Sequence, residues 1–67
     1  MRISDTINFD GAIITLTVVL EDGQNSVSPA DVMIVIVGAP DVLRLWHIDY
    51  IQFAAGSFRD KVQSMLT

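Results

Sequence analysis

The chain contains no cysteine and a single histidine, His47. The first absence removes disulfides, thiolate metal ligands and thiol nucleophiles. A lone histidine excludes a histidine-based structural zinc site, which needs several such ligands. Charge is scarce as well: Asp, Glu, Lys and Arg make up 18% of the residues, against about 25% in ordinary soluble domains. The basic residues are Arg2, Arg44, Arg59 and Lys61 only, too few for a nucleic-acid footprint, and no aromatic is interleaved with them as single-strand binding requires. Glycines 11, 23, 38 and 56 stand alone, so no G-x-G or GK[ST] grouping can cradle a phosphate. The longest purely apolar run, residues 32–39, falls well short of the ~20 residues that cross a bilayer. Residues 1–5 lack the apolar core of a signal peptide. A cytoplasmic protein with no nucleic-acid, membrane or cofactor partner is the expectation.

What the chain does have is apolar side chains and aspartate. A length of 67 residues makes one domain, 1–67, and a domain this small buries only about 60% of the surface its unfolded chain exposes. Small domains usually need a staple, and with disulfides and zinc excluded the remaining one is self-association or a partner protein. Hydrophobic residues reach 51% and mean hydropathy is +0.47, more apolar surface than so small a core can hide. Part of it is expected on a contiguous exposed patch, the usual mark of an interaction site. Net charge is −4, and every acid except Glu21 is an aspartate, a residue of turns and caps rather than of solvated helix faces.

Along the chain, Ile3, Ile7 and Phe9 share a strand face that Asp5 interrupts. Asp10-Gly11 then supplies a strong hairpin signal. Residues 12–21 alternate with a wholly apolar even face (Ile14, Leu16, Val18, Leu20) and a mixed odd face, which predicts a strand with its even side on the core. Asp22-Gly23 opens a polar loop. Ser28-Pro29-Ala30-Asp31 has the form of a helix start, yet Val32-Met33-Ile34-Val35-Ile36-Val37 is nearly all β-branched. The longer signal prevails: a turn at 28–31 and a central strand at 32–38, buried on both faces. Gly38-Ala39-Pro40-Asp41 breaks the chain. Residues 42–54 fit two patterns. As a strand, which their aromatic and β-branched content favours, they align Arg44, Trp46, Ile48 and Tyr50; as a helix, Leu43, Trp46, Tyr50 and Phe53 form a stripe. Gly56 is expected to end that segment, and Ser57 to cap a short amphipathic helix carrying Phe58, Val62, Met65 and Leu66 inward. The predicted fold is α+β: a small, mostly antiparallel sheet of three to four strands with a C-terminal helix on one face. The alternative is an N-terminal β-hairpin followed by two or three helices.

Catalytic chemistry finds little support. On a strand His47 and Asp49 would share a face, but no serine is presented as a nucleophile beside them. The loop Asp22-Gly23-Gln24-Asn25-Ser26 is oxygen-rich, yet it lacks the ladder and distal glutamate of a calcium loop. No catalytic, cofactor or metal residue is assigned, and no small-molecule substrate is expected. The row Arg44, Trp46, Ile48 and Tyr50 is the candidate interface, because Trp, Tyr and Arg dominate binding hot spots. The functional expectation is a non-catalytic protein–protein interaction protein, a homodimer or the partner of a larger protein. Small size and acidity suit a phage or viral inhibitor of a host enzyme or defence complex. The alternatives are a structural subunit of a phage-type assembly, whose strand edges pair with neighbours, and an acidic DNA mimic.

Overall fold

The alternation in residues 12–21 organises the molecule. In the computed structural model, which describes residues 1–9, 11–38 and 45–66 with the side chains of 45–47 excepted, Ala12–Val19 forms the middle strand, β2. It is flanked by β1 (Arg2–Phe9) and β3 (Val32–Val37), both antiparallel to it. Among the described residues one α-helix, α1 (Leu45–Leu66), packs against one face. The architecture is thus α+β, a three-stranded antiparallel sheet with one C-terminal helix.

Parity along β2 decides what is inside. Ile14, Leu16, Val18 and Leu20 are buried, as the even face predicts. They meet Ile51, Phe58 and Val62 of α1, and Val27 of the loop completes the cluster. In register with this face stand Ile3, Asp5 and Ile7 of β1 and Val32, Ile34 and Ile36 of β3. Ile3, Ile7 and Phe9 border the core, while Asp5 opposes Leu16 and stays exposed. The hairpin residue Asp10 lies outside the described residues; Gly11 takes a φ of 82°, open to glycine and costly for a side chain.

Two expectations for the second half are corrected. β3 is not a central strand buried on both faces: it closes the sheet order β1-β2-β3 and only Val32 is half-buried. A central position needs a strand on each side, and the segment expected to supply one is helical from Leu45. That helix also absorbs the expected break, running through Gly56 and Ser57 for 22 residues. Ile51, Ala54, Ala55, Phe58, Val62 and Leu66 recur three and four apart and lie on or against the core. The alanines favour helix, and strand preference in aromatic residues is chiefly a preference for packing surface, which a helix also supplies. Interior Gly56 costs about 0.5–1 kcal/mol relative to Ala, less than the burial of this stripe returns. Met65, expected inward, is exposed, as is Phe53 of the alternative stripe. Residues 41–44, where that alternative begins, lie outside the described residues.

The competing signals at 28–31 are both met, on different scales. Pro29–Asp31 forms one 3-10 turn, and the Asp31 carboxylate accepts the Ser28 N–H at 2.9 Å. The β-branched run then continues as strand. Between β2 and this turn the loop is held by Gln63 of α1. Its carbonyl oxygen accepts the Val27 N–H at 2.7 Å, and its amide donates to the Asn25 carbonyl at 3.1 Å. At the far end of β3, Gly38 has φ 132°, and a Cβ there would lie 2.9 Å from the Ala12 Cα and 3.0 Å from the Gly11 carbonyl oxygen. Only glycine fits where the chain leaves the sheet against the start of β2.

Candidate protein interface

The two edges of the sheet differ in chemistry. On the face away from α1, β1 presents Arg2, Ser4, Thr6 and Asn8, all exposed and polar. β2 contributes a mixed row: Ile13 and Val19 are exposed, whereas Thr17 is buried between neighbours and shares a 3.1 Å hydrogen bond with the Ser4 hydroxyl. β3 contributes Met33, Val35 and Val37. The open face therefore grades from polar at the β1 edge to apolar at the β3 edge.

Edge strands are ordinarily protected from pairing by charges, prolines, bulges or a covering element. β1 carries Arg2 and Asp5. β3 carries no charge and no proline: its sequence is Val-Met-Ile-Val-Ile-Val, and residues 33–37 keep 38–61% of their surface accessible. On its outer side the Val32 N–H is taken by the Pro29 carbonyl, and the backbone groups beyond it have no ladder partner among the described residues. On the helix side a groove of about 300 Å³ runs between β3 and α1, with Val32 and Ile34 on one wall and Gln52, Ala55 and Arg59 on the other. Arg59 is held beside it by Asp60 at 2.7 Å. Fully burying an aliphatic side chain contributes about 1.5–3 kcal/mol, so five half-exposed ones leave roughly 4–7 kcal/mol of hydrophobic stabilisation unused. A chain of 67 residues has a net stability of only about 3–10 kcal/mol. The exposed strand is large on that scale.

The row read from sequence as the interface does not survive as a row. Trp46, Ile48 and Tyr50 lie on α1, where positions two apart are rotated by roughly 200° about the axis. Arg44 and the side chain of Trp46 lie outside the described residues. Ile48 is exposed. Tyr50 is partly used within the fold, its ring stacked on Phe9 of β1 with centroids 4.4 Å apart and planes at 16°. The same rotation removes the premise for pairing His47 with Asp49, since helix positions two apart do not face each other. The signal for β3 was present in the sequence, an uninterrupted β-branched run without charge. Read as burial on both faces, it concealed an edge.

A second hollow, of about 230 Å³, lies on the β1 side of α1. Asp5, Tyr50, Ser57 and Lys61 reach its rim around an apolar floor that includes Ile7 and Leu16. It is open, and no hydrogen bond joins these four side chains to one another among the described residues. Among the described residues no cluster of His, Asp and Glu could hold a metal ion, and no helix is long and apolar enough to cross a membrane. The chain matches no family model, and no curated protein or solved structure is significantly similar to it.

Proposed function

We propose that this chain is a non-catalytic protein–protein interaction protein, and that it binds by extending its sheet at β3. One observation carries the reading: an uncharged, wholly apolar edge strand, accessible on both faces, opposite an edge of the same sheet that is polar and charged. Strand addition supplies affinity through main-chain hydrogen bonds, and the alternating side chains select the partner. Apolar Met33, Val35 and Val37 would meet it on the open face, and Ile34 and Ile36 on the helix side, beside the groove that Ile34 lines.

Two settings noted for such a chain were a small phage or viral inhibitor of a host enzyme and a subunit of a phage-type assembly. Of the two, the exposed edge favours strand pairing between subunits over inhibition of a host enzyme, because pairing uses this feature directly. DNA mimicry gains less support. The described acids are spread over β1, the loop after β2, the 3-10 turn and α1 rather than concentrated on one element. A cytoplasmic setting accords with the cysteine-free composition.

The reading is tested by placing a photo-reactive amino acid at Val37 and, as a control, at Asn8 of β1, in cells of the source organism. A protein adduct from position 37 and none from position 8 supports the reading. Adducts from neither position, or from position 8 alone, contradict it.

A further inference from the structure

We infer that the occupant of the β3 edge is a second copy of this chain, paired antiparallel through β3 to give one continuous six-stranded sheet. This rests on the β3 reading above and names its partner.

Two identical edges run antiparallel side by side when related by a two-fold axis perpendicular to the sheet, the commonest operator of soluble oligomers. Such an axis does not exchange the faces. Val32, Ile34 and Ile36 of both copies stay on the helix side, and Met33, Val35 and Val37 of both stay on the open side. With the axis near Ile34 or Val35, the middle of the strand, every cross-strand neighbour within β3 is apolar, the kind of pair that stabilises a sheet.

Charge does not oppose it. β3 has none, and the nearest described acid, Asp31, precedes the strand. In the antiparallel pair the two Asp31 positions would lie at opposite ends, about 20 Å apart along the strands, well beyond the ~8 Å screening length at physiological salt. A net charge of −4 per chain is therefore no bar to pairing at this strand.

The pairing also closes on itself. Among the described residues each chain has one unprotected edge and one protected edge. Pairing the unprotected edges leaves β1 at both rims of the new sheet, with Arg2 and Asp5 on each, so assembly stops at two copies. On the helix side, each α1 packs over its own β2, which puts the two axes about 14 Å apart, three strand spacings. Directly packed helices sit at about 8–10 Å, so the seam is a trough floored by Ile34 and Ile36 of both chains. Gln52 and Arg59, on the β3 side of α1, would line that trough, the Arg59 charge being met by Asp60 of its own chain. Cysteine and zinc having been excluded, this is a staple that the chain can supply for itself.

The test is molar mass in solution by light scattering across a dilution series, for the native sequence, Val35→Lys and the control Thr6→Lys on β1. The native chain should approach twice 7.4 kDa at high concentration and dissociate on dilution. Val35→Lys sets two ammonium groups close together near the axis and should weaken association by roughly tenfold or more, with the circular dichroism of the monomer unchanged. Thr6→Lys should leave association as it was. Because the native chain has no cysteine, Val35→Cys gives a second measurement that adds no charge: a short bis-maleimide should join the copies through position 35 but not through Thr6→Cys. A monomer at every concentration overturns the inference, as does a dimer that neither Val35→Lys nor the position-35 cross-link detects. If the chain is monomeric but Val37 still cross-links to a different protein in cells, the second copy is wrong and the β3 reading stands. If position 37 also cross-links to nothing, both fall.

Discussion

Ile36 stands directly opposite Ile14 across the β2–β3 ladder, on the same face of the sheet, yet Ile14 is 0% exposed and Ile36 38% exposed. One strand spacing separates a sealed core from an open flank. The difference arises because α1 is one helix over three strands: it covers β2 fully and the flanking strands in part. On the β1 side the uncovered margin includes Asp5, whereas on the β3 side it is isoleucine.

The stripe on α1 predicts a sharp contrast between two phenylalanines. Phe58 is buried in the core cluster, and Phe58→Ala should cost about 3–5 kcal/mol. That is comparable with the whole stability of so small a domain, so the variant should be largely unfolded by circular dichroism. Phe53, at 74% exposure, projects away from the core. Phe53→Ala should change stability by less than about 0.5 kcal/mol in the same assay.

Two glycines should respond in opposite directions to alanine. Gly56 lies within α1 with open space where a Cβ would go. Gly56→Ala should stabilise the chain by about 0.5–1 kcal/mol, raising the thermal midpoint by roughly 2–8 °C. Gly38→Ala forces a side chain into a φ of 132° and against the Ala12 backbone, so it should destabilise by about 1–3 kcal/mol. Thermal unfolding of the two variants side by side checks both signs.

Gln63 ties the loop before β3 to the helix, and Gln63→Leu would leave the N–H of Val27, a buried residue, without its acceptor. The expected loss is about 1–3 kcal/mol. Faster amide exchange at Val27 would show that the loss arises at that bond. An unchanged rate there would mean the loop is held by other contacts.

Much of this fold is legible in the sequence because it follows from periodicity. The even face of β2 identifies Ile14, Leu16, Val18 and Leu20 as core with no knowledge of what covers them. The turn at 28–31 and the strand after it are readable because a cap signal acts over one turn while a β-branched run acts over six residues. The rank of β3 in the sheet is not readable. Whether an apolar strand is central or at an edge depends on whether another strand lies beside it, a non-local fact absent from the strand's own residues. α1 was obscured for a related reason. Trp46, Ile48, Tyr50 and Ile51 carry strand preference, while the deciding pattern is the row from Ile51 to Leu66, which passes through a glycine read as a stop. The row Arg44, Trp46, Ile48 and Tyr50 inherited that misreading, since its members share a face only on a strand.

That β3 is the binding edge is tested most directly by residue-resolved amide hydrogen exchange at low and high protein concentration. In the dilute chain the amides of Ile34 and Ile36, which point away from β2, should exchange rapidly, while those bonded to β2 are protected. At high concentration the outward amides should become protected, with β1 and the outer face of α1 unchanged. Association accompanied by new protection on β1 or α1, with the outward β3 amides still exchanging as in the dilute chain, would contradict it.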